Sequence, residues 1–103
     1  MAELIKLTQE TDNSNGTWLQ GTLPGCTYAQ LIKAFGEPTY TDGSGDDKVQ
    51  FEWVFKFNES IFTIYDWKTY NRDHTMNKLT TWNIGGHTEC GAFINYIRTK
   101  LNK

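Results

Sequence analysis

The chain has 103 residues, a length that fits one domain able to bury a core without disulfides or metals. Twelve acidic against ten basic residues give a net charge of −2, which is too weak for a DNA mimic and not basic enough for a protein that grips nucleic-acid backbone. No run approaches the roughly 18 apolar residues that span a bilayer. The N-terminus lacks the basic start and apolar core of a signal peptide, so we expect a cytoplasmic protein that makes no membrane contact.

Aromatic residues make up 15% of the chain, which is more than one small core needs. Because aromatic side chains also dominate recognition surfaces, we expect some of these rings to contact a partner. The two cysteines, Cys26 and Cys90, have neither a CxxC spacing nor a histidine cluster beside them. They are predicted to be buried free thiols, with an intramolecular disulfide as the alternative.

The first third of the chain contains two candidate strands and one helix. Residues 3–8 fit a short strand or a helical turn, and residues 9–16 form a polar loop, so residues 1–16 are expected to be partly flexible. Residues 17–23, TWLQGTL, predict a strand with Trp18 and Leu23 as apolar anchors and Gly21 at a bulge or a close approach.

The helix that follows has clear start and stop signals. Thr27 and Gln30 have the spacing of a capping box, and Gly36 and Pro38 end the helix. One apolar stripe faces a core, formed by Tyr28, Leu31, Ile32 and Phe35.

Residues 47–68 predict a β-hairpin with a turn at residues 58–60. The first strand has one apolar face, formed by Val49, Phe51, Trp53, Phe55 and Phe57. The return strand has rings or branched aliphatic side chains on both faces. We therefore expect apolar side chains to be displayed beyond the core, and a homo-oligomer to form through the sheet.

Residues 69–78 are polar and predict an exposed connection, and residues 79–84 predict a third strand that Gly85 and Gly86 break. A second helix is expected from Thr88, with a buried stripe formed by Cys90, Phe93, Ile94, Ile97 and Leu101. The order β-α-β-β-β-α predicts an α+β fold, a small antiparallel β-sheet with two helices packed on one face. Residues 1–103 form a single domain.

The strongest candidate for a binding site is a group of rings at the exit of the hairpin. Aromatic rings stack on bases, and neighbouring cations and amides hold phosphate or sugar, so a nucleotide could be bound there. The residues of this predicted site are Tyr65, Trp67, Lys68, Tyr70, Asn71, Arg72 and Trp82. The alternative is that Trp53, Trp67 and Trp82 fill the core.

Other chemical signals are weaker. The loop around Asp42, DGSGDD, lacks the ligand spacing of an EF-hand and is best explained as a solvated turn, with cation binding as the alternative. His74 and His87 lack partners at metal-ligand spacing, so no metal site and no cofactor are predicted. His87 follows a Gly-Gly pair at the expected helix start, where backbone N–H groups could contact an anion; a plain turn is the alternative.

Several short motifs occur together in a fixed order between Thr17 and Gly86. They are LQG, Y-x-x-L-x-x-x-F-G-x-P, GD-x-KV-x-x-EW, TIYDWK and W-x-IGG. In this order the chain resembles a family of small proteins encoded by tailed phages and viral metagenomes. The N-terminal residues and the second helix lie outside the resemblance, and it supplies no catalytic residue.

The resemblance implies a viral accessory protein that acts in the host cytoplasm. Many such proteins inhibit host antiviral defence by binding a host protein or by sequestering a nucleotide messenger, without catalysis. The alternative function is a small hydrolase or phosphodiesterase that cleaves a nucleotide signal with Asp66, His74 or His87. A virion component is the third alternative.

Overall fold

The computed structural model describes residues 4–8, 17–41, 50–66 and 72–101. Its elements are β1 (Leu4–Lys6), β2 (Trp18–Leu23), α1 (Tyr28–Phe35), β3 (Glu52–Phe57), β4 (Ser60–Tyr65), α2 (Arg72–Asn77), β5 (Trp82–Gly86) and α3 (Gly91–Lys100). The predicted α+β fold with an antiparallel sheet is confirmed. The predictions for residues 9–16 and for the loop around Asp42 concern residues outside the described ranges.

The sheet has five strands in the order β1-β3-β4-β5-β2, and every neighbouring pair is antiparallel. The central strands β3, β4 and β5 are consecutive in the sheet, while β1 and β2 form its edges. The register aligns Trp53 with Ile64 and Ile64 with Ile84 across the three central strands. Because paired residues point to the same side of a sheet, these side chains share one face.

Helices α1 and α3 pack on that face, as the sequence predicted. Leu31 of α1 and Phe93 of α3 are fully buried in one cluster with the strand residues. The rings of Phe62 and Phe93 are stacked, with their centroids 4.5 Å apart and their planes 8° apart. Stacked and edge-on aromatic pairs add to the free energy of area burial, so the rings fix how α3 sits on the sheet.

The capping box of α1 is present in full. The backbone N–H of Gln30 donates to Oγ1 of Thr27 at 3.2 Å, and the N–H of Thr27 donates to Oε1 of Gln30 at 2.9 Å. Gly36 has φ of 79°, and its N–H donates to Ile32 O at 2.8 Å. Local sequence signals therefore determine both ends of this helix.

The prediction that Gly85 and Gly86 end the third strand is wrong, because both lie inside β5. A Cβ atom on Gly86 would lie 2.7 Å from Cδ1 of Phe62, and one on Gly85 would lie 2.7 Å from Oγ1 of Thr63. The missing side chains leave room for larger neighbours on both faces of the sheet. The glycine pair thus lets β4 and β5 pack closely.

Two further predictions of element boundaries are corrected. The supposed connection at residues 69–78 contains α2, and the last helix begins at Gly91, with Cys90 at its N-cap, rather than at Thr88. The first segment is a strand, β1, rather than a helical turn. The bulge predicted at Gly21 is present, since the register of β2 against β5 shifts between Leu19 and Gly21.

On the face away from α1 and α3, Val54 is 0% exposed and Ile61 is 6% exposed. Both belong to the apolar excess of the hairpin that we expected to be displayed. Their burial means that this excess is not displayed at these positions.

Two separate segments cover the outer edge of β3, and one threonine lies where they meet. The N–H of Leu7 donates to Val54 O at 2.8 Å, while Tyr40 pairs with Glu52 further along the strand. Between them, the hydroxyl of Thr39 donates to Leu7 O at 2.8 Å and accepts the N–H of Val54 at 3.1 Å. Leu7, Thr39 and Tyr40 together complete the edge.

Candidate functional site

Most of the predicted ring site lies outside the described residues. Trp67, Lys68, Tyr70 and Asn71 are outside them, and only the backbone of Arg72 can be assigned, to the start of α2. The described members of the ring site are Tyr65 and Trp82, and His87, the separate candidate for an anion contact, is also described.

The prediction of Trp82 as a recognition residue is wrong. Its side chain is 0% exposed, and its indole N–H donates to Cys26 O at 2.9 Å. Its ring lies edge-on to that of Trp53 with the centroids 5.6 Å apart. Trp82 pairs with Leu23 on the helix-bearing face of the sheet, so it belongs to the core, which was the alternative interpretation.

Tyr65 lies on the opposite face in a row with two polar residues, because Glu52, Tyr65 and Asn83 are paired across β3, β4 and β5. Burial raises the pKa of the Tyr65 hydroxyl; a hydrogen bond with Asn83 partly offsets this, and the nearby charge of Glu52 adds to it. Cε1 of its ring lies 3.3 Å from the position of a Cβ on Gly85. One side of the ring is therefore packed against the sheet and is closed to a ligand.

His87 is exposed directly after β5, but it does not lie at a helix start. Since α3 begins at Gly91, the first-turn N–H groups expected beside His87 belong to a later part of the chain. The predicted anion contact at His87 depended on these N–H groups, and they do not lie at His87.

Asp66, a candidate acid or base for the hydrolase alternative, is 0% exposed and accepts hydrogen bonds through both carboxylate oxygens. Its Oδ1 accepts the backbone N–H groups of Gln50 at 2.8 Å and Phe51 at 2.9 Å. Its Oδ2 accepts the hydroxyl of Thr75 at 2.9 Å. The carboxylate holds the start of β3, the end of β4 and the helix α2 together, and it is not exposed to a ligand.

Two other chemical candidates can be located. His74 is exposed on α2. Cys90 is a buried free thiol whose pKa is raised by burial and then by the neighbouring charge of Glu89, so the thiolate needed for nucleophilic attack is disfavoured. No group of three metal-ligating side chains occurs among the described residues.

Sequence reasoning missed the most exposed apolar pair in the described part of the chain. Trp18, predicted to be an apolar anchor of the strand, is 61% exposed, and Leu19 is 57% exposed. Both begin β2, and within the described residues no strand pairs with the outer side of β2. We call Trp18, Leu19 and this outer side the β2 edge. The available signal was the absence of charge from residues 17–25, which is unusual for an edge strand.

A second missed feature is a depression where α1, α3 and β1 meet. One cavity of about 280 Å³ is lined in part by Lys6, Phe35, Tyr96 and Lys100. A neighbouring cavity of about 220 Å³ shares Ala34 and Lys100 with the first and is also lined by Lys33. We call these six residues and the space between them the lysine cleft.

No protein-family model, curated protein or solved structure matches the chain. None of the helices in the described ranges combines the length and hydrophobicity that a bilayer-spanning helix requires.

Proposed function

We propose that this protein is a non-catalytic phage accessory protein that inhibits host antiviral defence in the host cytoplasm by binding a host protein. The observation that carries the proposal is the β2 edge, where Trp18 and Leu19 are exposed at consecutive positions, one on each face of the sheet. The resemblance of residues 17–86 to tailed-phage proteins supplies the biological setting.

An uncharged edge strand suits binding by strand addition. The backbone groups on the outer side of β2 can pair with an extended segment of a partner, and side chains beside the edge give specificity. Tryptophan is among the residues that contribute most to binding when a partner excludes water from it. A second copy of the chain can use the same edge, which is the form that the expected homo-oligomer through the sheet would take.

Sequestration of a nucleotide messenger is the second candidate function, and the lysine cleft favours it because Lys33 and Lys100 flank a cavity with aromatic walls. The segment from Trp67 to Asn71 remains a proposed contributor to ligand binding on the strength of its sequence alone.

An infection assay tests the proposal directly. Expression of the protein in a host that carries an antiviral defence system is expected to restore plaque formation by a phage that the system blocks. The variant Trp18→Ser/Leu19→Ser is expected to lose this activity while its melting temperature stays close to that of the wild type, since both residues are exposed.

Ile5→Ser provides a matched control. Ile5 is an apolar residue, 43% exposed, on β1 at the opposite edge of the sheet. It is expected to retain full activity. If the wild type and Trp18→Ser/Leu19→Ser restore plaque formation equally well, the β2 edge has no role in the activity.

A recovery experiment separates binding from catalysis. The protein is incubated with a panel of cyclic and linear nucleotides and then denatured, and the released material is analysed by chromatography. Intact nucleotide recovered with the protein indicates sequestration, and new products indicate the hydrolase alternative. If no nucleotide is depleted from solution, only the protein-binding form of the proposal stands.

A further inference from the structure

Positive charge is concentrated in the lysine cleft, although the chain as a whole carries a net charge of −2. Three ammonium groups, those of Lys6, Lys33 and Lys100, line the two adjoining cavities, and the described residues that line them include no acidic side chain. Charges of one sign on the walls of a depression attract ligands of the opposite sign. The three ammonium groups therefore favour an anion, although the carbonyl groups at the C-terminal ends of α1 and α3 oppose it.

The three lysines do not have the same role. Nζ of Lys6 donates to Glu37 O at 2.7 Å, just beyond the end of α1, where a cation is favoured by the exposed carbonyl groups. Lys6 thus joins β1 to α1. Lys33 and Lys100 make no ion pair with a carboxylate in the described ranges, and Nζ of Lys100 lies 5.4 Å from the centre of the Tyr96 ring. Neither ammonium group is held by a carboxylate of the described residues, so both can turn to a ligand, Lys100 by leaving the face of Tyr96.

The walls of the cleft combine polar surface with two aromatic rings. Phe35 and Tyr96 are half-buried, and each packs on a core ring: Phe35 on Phe55 at 5.1 Å and Tyr96 on Phe57 at 5.2 Å between centroids. Both rings are therefore fixed in position. Ala34 is the residue that the two cavities share with Lys100, and its small side chain leaves the space between the helices open.

Size restricts the ligand further. A cavity of about 280 Å³ lies just below the usual range for small-molecule sites, about 300–1,000 Å³, so it holds one ring system rather than a nucleic-acid strand or a folded partner. The adjoining space of about 220 Å³ lies beside Lys33. An anion attached to a flat ring system fits this combination.

We propose that the lysine cleft binds a nucleoside phosphate, with the base against Phe35 and Tyr96 and the phosphate between Lys33 and Lys100. This inference rests on the nucleotide-sequestering form of the proposed function and gives it a site distinct from both the β2 edge and the predicted ring site.

The test measures binding of defined probes to the full-length protein by calorimetry. The probes are AMP, ADP, cyclic di-AMP and the corresponding guanine compounds, with adenosine, guanosine and inorganic phosphate as partial ligands. At least one nucleotide is expected to bind more tightly than its nucleoside and more tightly than phosphate. The proposal fails if no nucleotide binds with a dissociation constant below about 1 mM. It also fails if phosphate or the nucleoside alone binds as well as the nucleotide.

Lysine-to-glutamine variants inside and outside the cleft test where the nucleotide binds. Lys33→Gln/Lys100→Gln is expected to weaken nucleotide binding by about tenfold or more, because each lysine supplies a charged hydrogen bond to the phosphate. Lys78→Gln, at an exposed lysine outside the cleft, is expected to leave the affinity unchanged. Equal affinities in the two variants would overturn the assignment.

Chemical-shift changes of backbone amides during the titration distinguish the cleft from the alternatives. They are expected to concentrate at residues 30–35 and 96–101. Changes confined to residues 65–72 would overturn the cleft and favour the ring site predicted from sequence. One outcome refutes the nucleotide site and supports the protein-binding function: no nucleotide binds, and the wild-type protein restores plaque formation while Trp18→Ser/Leu19→Ser does not.

Discussion

A single carboxylate, that of Asp66, joins three segments of the chain that are distant in sequence. Gln50 and Phe51 lie 16 and 15 residues before it in the sequence, and Thr75 lies nine residues after it. A buried charge is retained only where donors surround it, and here three donors do so. The residue thus acts in folding, at a position where sequence reasoning considered catalysis.

Replacing Asp66 with alanine is expected to lower the free energy of unfolding by about 3 kcal/mol or more, because two buried N–H groups and one hydroxyl lose their acceptor. Thr75→Val removes only one of these hydrogen bonds, and the expected loss is about 1–2 kcal/mol. Urea denaturation monitored by tryptophan fluorescence measures both. Similar small losses in the two variants would show that the carboxylate does not hold the three segments together.

The sequence could not reveal the role of Asp66, because its partners depend on tertiary contacts. The structure pairs Glu52 with Tyr65, so Asp66 lies just beyond the paired residues of the hairpin. Trp82 illustrates the same limit: its position in a strand was predictable, but its burial follows from the packing of α1 and α3 on that face.

At the scale of elements, helix α1 and the hairpin were predictable because their signals are local. The capping box, the glycine stop and the alternation of apolar residues all lie within a few positions of one another. Gly85 and Gly86 in β5 gave a wrong prediction of the strand end, because their role is not determined by neighbouring residues in the sequence. Their role depends on Phe62 and Thr63, which lie on another strand.

Alanine at Gly85 or at Gly86 is expected to lower the free energy of unfolding by about 1–3 kcal/mol, because the new methyl group would overlap Thr63 or the ring of Phe62. Thermal and urea denaturation measure the loss. In the double variant Thr63→Ala/Gly85→Ala the clashing atom is gone, so its loss is expected to be smaller than the sum of the two single losses.

Gly91→Ala is the control for this series. A methyl group at Gly91 meets only the flexible, exposed side chain of Glu89, and alanine is a better helix former than glycine. Its stability is expected to be unchanged or slightly higher. If Gly91→Ala is as destabilising as Gly85→Ala, close packing is not the reason for the glycine pair.

For the whole molecule, strand order determines which parts of the sheet are protected from solvent. β4 lies in the middle of the five strands, and β2 lies at the end of the sheet. The sequence predicted the central strands, but not that the two strands from the first quarter of the chain flank them on opposite sides. Pairing between residues 49 or more positions apart leaves no local pattern.

Amide hydrogen exchange is expected to be slowest in β4 and faster on the outer side of β2, since exchange follows local opening and access to water. If copies of the chain associate through the β2 edge, protection of residues 18–23 is expected to increase with protein concentration, together with the mass measured by light scattering. The variant Trp18→Ser/Leu19→Ser is expected to abolish that increase. A mass that is independent of concentration, with β2 already protected in dilute solution, would contradict association through this edge.

The segment that contains β1 and the segment that contains Thr39 and Tyr40 meet at the hydroxyl of Thr39, so β1 can be removed as a separate unit of the sheet. Because Tyr40 pairs with β3 independently, loss of β1 uncovers residues 54–57 of β3 and removes the contacts of Leu4 and Lys6, but leaves the pairing at Glu52 in place. A chain that starts at residue 17 should therefore keep a vacant slot shaped for a short extended peptide, and a synthetic peptide of residues 1–8 should restore it in trans. The two parts would then form a complementation pair, and the hydrogen bond from the hydroxyl of Thr39 to Leu7 O would form only when the peptide is bound.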